Sequence, residues 1–182
     1  MKNLIIVCGI LFFSLNLSAQ KFSSKNGFAG FYSHTPMEDV KADNNQVNSI
    51  LDSSTGDIVF LLLNKSFHFD RALMEEHFNE NYIESNKYPK STFKGTVSDI
   101  SKVNFSSDGN YPVTVNGDLT IHGVTKNVTA SGNIIIKGGK ITISSKFMAK
   151  LADYGISIPG AVKSNISESV EIAVNCNLDQ KM

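Results

Sequence analysis

Hydrophobic and polar residues alternate with a period of two through most of the C-terminal half of the chain. Val113, Val115, Gly117, Leu119 and Ile121 share one parity, and Thr114, Asn116, Asp118, Thr120 and His122 share the other. A strand sends successive side chains to opposite faces, so this pattern predicts a strand with one buried face. Beyond His122 and Gly123, Val128, Ala130, Gly132, Ile134 and Ile136 resume an apolar face opposite Thr129, Ser131 and Asn133. KGGK (137–140) predicts a tight turn, its glycines supplying the positive φ that two-residue hairpins need. Ile141, Ile143 and Phe147 open the next strand, with Ser145 interrupting the face. Val170, Ile172, Val174, Cys176 and Leu178 make the last.

Upstream, GFAGFYS (27–33), QVNSIL (46–51), DIVFLLLN (57–64) and STFKGTV (91–97) predict further strands. The run from Ile58 to Leu63 is apolar on both faces, so its outer side needs a cover. The one helical stretch, RALMEEHFNENY (71–82), is the expected cover. Asp70 suits its N-cap, and Leu73, Met74, His77 and Phe78 fall on one face at spacings of three and four. No internal repeat or linker breaks the chain. About eight strands and one short helix predict an all-β fold, a closed antiparallel sheet. Small barrels of this size either fill their interior with side chains or hold one small ligand.

The first residues read differently. MKNLIIVCGILFFSLNLSAQ has Lys2, then an apolar run from Leu4 to Leu15, then Ser18 and Ala19. Charged start, short apolar core and small-residue cleavage site are the layout of a signal peptide. A bilayer span needs about 20 apolar residues, more than this run supplies. Residues 1–19 are therefore expected to be a signal peptide and 20–182 a single domain in the periplasm or outside the cell. A retained N-terminal anchor is the competing reading.

Charge and cysteine usage narrow the function. The chain has 17 basic and 17 acidic groups, and the leader removes only Lys2, so the remainder carries one excess negative charge. Nucleic acid and anionic membrane surfaces call for clustered positive charge, and neither is expected as a partner. Loss of Cys8 leaves Cys176 alone, so no intramolecular disulfide is expected. Its inward parity marks it as a small buried hydrophobe rather than a reactive thiol.

Four histidines, His34, His68, His77 and His122, are the candidates for metal or acid–base work. None pairs with another at the spacing that places two imidazoles on one ion, and no cofactor or metal is expected. His122 has outward parity beside a glycine, which favours a solvent-facing or turn-bonded ring over a catalytic one. His77 falls near a barrel mouth; a hydrogen bond fixing helix to barrel is preferred over a headgroup contact or lid role. No Gly-x-Ser-x-Gly elbow surrounds any serine. Asp39, Asp43, Glu75, Glu76 and Glu84 form no convincing convergent pair. GFAGF (27–31) precedes no helix and is not a phosphate loop. An enzyme is not expected.

GDLTIHGVTKNVT (117–129) resembles the signature hairpin of the YceI-like family of exported bacterial lipid-binding proteins. Three further segments follow the family's pattern. EEHFNENYIESNKYPKSTFKG (75–95) resembles its helix, connection and Tyr-Pro-x-x-x-Phe strand entry. LADYGISIP (151–159) resembles its Asp-aromatic-Gly-Ile turn, and ISESVEIAV (166–174) its closing strand. The likeness covers most of 27–178. Leu151 departs from it, because many relatives carry an arginine there. The resemblance implies a lipocalin-like extended barrel whose lumen holds one long apolar chain, a polyisoprenoid or fatty-acid derivative, without catalysis or metal.

Parity supplies the expected wall. Ile58, Phe60 and Leu62 face inward from one strand, Phe93 from the next, and Val113, Val115, Leu119 and Ile121 from the one after. Ile134, Ile143, Phe147, Ile172 and Val174 continue it, and Phe67 is added to them. That interior is all hydrocarbon. Twelve Phe and no Trp give walls without an indole N–H to satisfy. A filled core fits the pattern equally well; the resemblance favours a lumen with lipid as partner. Expected, then, is an exported binding protein for a long-chain amphiphile, without stable membrane insertion. The alternatives are a structural or interaction module with a filled core and, behind it, a hydrolase or isomerase. Whether the barrel pairs as a homodimer is left open.

Overall fold

A computed structural model describes residues 20–182, so the leader expected over 1–19 lies outside the described residues. Eight long strands close into an antiparallel barrel. In chain order these are β1 (Lys21–His34), β2 (Asp39–Asp52), β3 (Asp57–Leu63), β5 (Lys90–Val97), β6 (Gly109–Ile121), β7 (Val124–Lys137), β8 (Lys140–Lys150) and β9 (Ser169–Leu178). Each pairs with the next, and β9 returns to β1 to complete the ring. Two short strands dock on it: β4 (His68–Phe69) against β2 and β10 (Gln180–Lys181) against β1. Closure leaves these strands no free edge.

The hairpins form where the sequence asks for them. His122 and Gly123 join β6 to β7 at φ 51° and 74°, and Gly138 and Gly139 join β7 to β8 at φ 57° and 74°. Two consecutive positive φ values are the turn whose twist matches that of the flanking strands. Inside the barrel, Gly95 and Gly117 face each other across β5 and β6. A Cβ on Gly117 would sit 2.8 Å from the Phe93 ring, so the paired glycines make the space that ring occupies. Register shifts between Ser24 and Ala29 bend β1 around the barrel.

One end of the barrel is packed shut. Leu51, Ile58, Val97, Ile134, Ile136, Ile141, Ile143 and Leu178 are buried there together with Val103 from the β5–β6 connection. Phe105 of the same connection stacks on Phe22, ring centroids 6.0 Å apart. The other end is crossed by residues 64–89, which hold α1 (Ala72–His77) and a wider helical turn over Phe78–Tyr82.

Three expectations about this segment are corrected. Arg71, not Asp70, occupies the N-cap position, and no side chain caps the helix. A six-residue helix gains little from its own hydrogen bonds, and packing on the barrel holds it instead. The helix lies over the barrel mouth and not over the outer face of β3. Val59 and Leu63 stay 36% and 51% exposed, and Val59 packs beside its cross-strand partner Ile50, so a small apolar strip on this face is left in water. Leu73, 60% exposed, does not share the inward face with Met74 and Phe78. Among the described residues no helix is long and apolar enough to cross a membrane.

Candidate functional site

The barrel encloses a cavity of about 360 Å³, within the range of small-molecule sites. All fourteen expected wall residues stand on it: Ile58, Phe60, Leu62, Phe93, Val113, Val115, Leu119, Ile121, Ile134, Ile143, Phe147, Ile172 and Val174 from strand parity, and Phe67 from the crossing segment. The strand pleat explains the agreement, since every second residue of a closed sheet must point inward.

Further strand positions such as Val47, Ala130 and Val170 continue the wall, and connections add to it. Phe69, Met74, Phe78 and Tyr82 come from the crossing segment, Tyr154 and Ile156 from the turn after β8, and Val162, Asn165 and Ile166 from the loop before β9. Loops carry no periodicity, so parity could not nominate these. Phe31 was legible, being in phase with Ala29 on β1. Phe31, Phe67, Phe69 and Phe78 form an aromatic cluster under the helix, with ring centroids 5.2–5.8 Å apart.

The interior is not all hydrocarbon, as parity had suggested. Ser24, Ser33, Asn44, Ser49 and Asn64 are buried among the strands and at their ends. Most have a local task. The Asn44 amide donates to the Leu63 carbonyl at 3.0 Å, and Ser33 Oγ accepts the Ser167 amide at 2.9 Å. Ser145, on the cavity wall, donates its hydroxyl to the Ser131 carbonyl at 2.8 Å. Buried polar groups persist in an apolar interior when they are bonded in this way.

Asn64 holds the base of the crossing segment. Its backbone N–H donates to Pro89 O at 2.9 Å and its side-chain amide to Tyr88 O at 2.7 Å. Its side-chain oxygen accepts the Ser91 hydroxyl at 2.8 Å. Both ends of the segment are thereby pinned to one fully buried side chain.

Opposite that base, the segment meets the loops through Glu38. The Asn165 amide donates to Glu38 Oε2 at 3.0 Å, and Arg71 donates to Oε1. These bonds, the Asn165 one first and then Arg71, hold the Glu38 carboxyl below the usual carboxylate range. Glu38 and Asn165 also line the cavity, so this polar cluster sits at its rim.

His122 is turn-bonded rather than solvent-facing. Its side chain is 12% exposed, with Nδ1 at 3.1 Å from the Tyr154 carbonyl and Nε2 at 2.6 Å from Glu84 Oε2. The Tyr88 ring meets it edge-on, centroids 4.5 Å apart. A carbonyl only accepts, so Nδ1 carries a proton. The ring ties the β6–β7 hairpin, the crossing segment and the turn after β8 together, away from the cavity wall. His77 makes no hydrogen bond of the kind expected; it stands exposed on the cavity rim. His34 meets Asp39 at 2.6 Å and His68 lies 3.6 Å from Glu75, both at the surface. Among the described residues no three of His, Cys, Asp and Glu converge as a metal site would. Cys176 is fully buried, and burial pushes its thiol above the usual range.

Among the titratable side chains on the wall, Glu38, His77, Tyr82 and Tyr154, none hydrogen-bonds another. The arrangement is suited to enclosing apolar matter, with the titratable wall residues gathered toward the crossed end.

The chain is similar to known proteins at two levels. A UPF0312 protein of Vibrio parahaemolyticus is 29% identical over 143 residues, 75% of this chain and 65% of the relative. A UPF0312 protein of Pseudomonas putida is 27% identical over 110 residues, 57% of this chain and 54% of the relative. The chain thus spans about two thirds or less of the length of these curated relatives. Among solved structures, a polyisoprenoid binding domain from Saccharophagus degradans superposes with a TM-score of 0.73 at 15% identity, covering 87% of this chain and 97% of that one. BcnA of Burkholderia cenocepacia gives 0.70 at 15% identity, covering 83% and 95%. The YceI protein of Campylobacter jejuni gives 0.59 at 20%, covering 81% and 90%. At such identities the superpositions speak to the shared barrel. The sequence itself carries the membership: the YceI-like domain model matches residues 20–178, all eight barrel strands included, and the chain belongs to that family.

Proposed function

We propose that this protein is an exported carrier that holds one long-chain amphiphile, a polyisoprenoid or fatty-acid derivative, in the barrel lumen. The observation that carries the reading is a closed barrel whose cavity is walled by inward-facing aliphatic and phenylalanine side chains. Membership of the YceI-like family supports it, as does the name of the Saccharophagus degradans domain, a polyisoprenoid binder of the same fold. Each methylene moved from water into such a wall contributes about 0.8 kcal/mol. A ten-carbon chain therefore gains on the order of 8 kcal/mol before the entropic cost of association. Selectivity rests on lumen length and on the few polar groups near the mouth. Entry and release pass through the end crossed by residues 64–89, because the opposite end is packed shut. The thirteen parity residues and Phe67 are the proposed contacts along the chain, and no catalytic step is assigned.

Native mass spectrometry of protein purified without detergent tests this. A co-purifying lipid of discrete mass supports the carrier; an interior that stays empty and accepts no added lipid favours the interaction module. Export is tested separately by N-terminal sequencing of exported material, expected to begin at or next to Gln20.

A further inference from the structure

The polar groups around the cavity differ in whether they are free to meet a ligand. Glu38 and Asn165 are bonded to each other, and Glu38 to Arg71. Asn64 is engaged with Tyr88 and Ser91, Ser33 with Ser167, and Ser145 with Ser131. His77 is exposed at the rim, open to solvent.

Thr92 and Ser144 touch the cavity from positions out of phase with the inward-facing Phe93, Ile143 and Ser145. At the crossed end two tyrosines remain. Tyr82 closes the helical turn of the crossing segment, and Tyr154 ends the short turn after β8. Both line the cavity, and both pack in the cluster that includes Ile83, Leu119 and Ile156. Tyr154 is 3% exposed. Neither hydroxyl bonds to another of the described residues, and neither oxygen is sealed in protein, so each is free to meet a partner. The backbone of Tyr154 is held by His122, whose Nδ1–H donates to its carbonyl at 3.1 Å, so the ring projects from a fixed point. Burial raises both phenols above their ordinary range, and the Asp153 charge adds to this for Tyr154. Both therefore keep their protons at neutral pH and stand as hydrogen-bond donors.

We infer that Tyr82 and Tyr154 form the polar end of the lumen and recognise a hydrogen-bond-accepting oxygen on the ligand, a carbonyl, ether or carboxylate. This inference rests on the carrier reading and names the headgroup chemistry it takes. The ligand lies with its acceptor oxygen under the crossing segment and its hydrocarbon toward the packed end. A pure hydrocarbon leaves the two donors unmet, so the site discriminates against it.

The test compares two probes of equal length, hexadecan-2-one and hexadecane, for equilibrium partition into delipidated protein. Removing a hydroxyl that donates to the ligand lowers affinity about fivefold, the effect of one net hydrogen bond near 1 kcal/mol. Tyr154→Phe is expected to weaken the ketone by that factor and leave the alkane unchanged or slightly stronger. The double variant with Tyr82→Phe widens the gap. Both substitutions keep the ring, and an unchanged melting temperature confirms the packing. Tyr82→Phe alone serves if Tyr154→Phe fails to fold. Equal changes for the two probes, or none, overturn the inference while leaving the carrier intact. Failure of the wild-type protein to take up either probe overturns the carrier reading and this inference with it.

Discussion

His122 and Cys176 show how burial changes the meaning of a reactive residue. His122 looked like a hairpin tip, yet its ring carries two hydrogen bonds from a turn position at φ 51°. Alanine removes both bonds and retains the positive φ. His122→Ala is expected to lose about 2–3 kcal/mol in denaturant unfolding, the range for bonds that include a charged partner. His122→Gly relieves the backbone strain but not the lost bonds, and should fall between Ala and wild type. The ring stands off the cavity wall, so lipid loading of the folded His122→Ala protein should match wild type. Cys176 is packed against Gly27 and Val47 with no exposed surface. Its thiol is held above the usual range by burial. Alkylation by iodoacetamide at neutral pH should therefore follow global unfolding, and fast labelling of the native protein would contradict the packing.

At the scale of elements, the crossing segment covers the mouth, and its attachments decide how readily the lumen opens. Asn64, the Glu84–His122 bond and the aromatic cluster hold it from below, whereas the partly exposed cluster of Glu38, Arg71 and Asn165 is its outermost attachment. Such surface pairs are weak and individually breakable. Arg71→Ala should accelerate transfer of bound lipid to acceptor vesicles several-fold at neutral pH while leaving the amount bound at equilibrium little changed. The same attachment has a pH sign. Because the Glu38 carboxyl is held below its ordinary range in the fold, its contribution is present above the unfolded pKa and is lost as pH falls through the folded one. Transfer from wild type should stay slow from about pH 7 into the ordinary carboxylate range near pH 4 and quicken only below it. Glu38→Gln should be fast at neutral pH and flatter across the titration.

For the whole molecule, the question is whether the interior acts as a lumen or as a core. Phe60 faces the cavity from β3 and meets Phe93 at a ring-centroid distance of 6.3 Å. In a filled core, truncating such a phenylalanine costs about 3–5 kcal/mol through the cavity it leaves. A wall residue already facing open space should lose less, and Phe60→Ala should shift the co-purifying lipids toward longer or bulkier chains. A full core penalty with unchanged lipid would place Phe60 in packing rather than in the binding surface.

Thirteen inward positions on the strands, all the expected wall but Phe67, were legible in the sequence because a closed sheet has a strict period of two. Once the barrel closes, phase alone assigns each residue to wall or exterior. The hairpins at 122–123 and 137–140 were legible for a similar reason, since their conformations are local and glycine marks them. The helix over 71–82 was visible as a pattern but its place was not. The outer face of β3 seemed to need a cover, yet a small exposed strip such as Val59 beside Ile50 is tolerated in water, and the segment closed the mouth instead. What only the tertiary structure decided is that mouth. Glu38 meets Asn165 across 127 positions of sequence, and Glu84 meets His122 across 38. Contacts between loops follow no period, so the sequence determined which residues face inward. The way the chain closes on itself decided which of them, from distant loops, form the polar end.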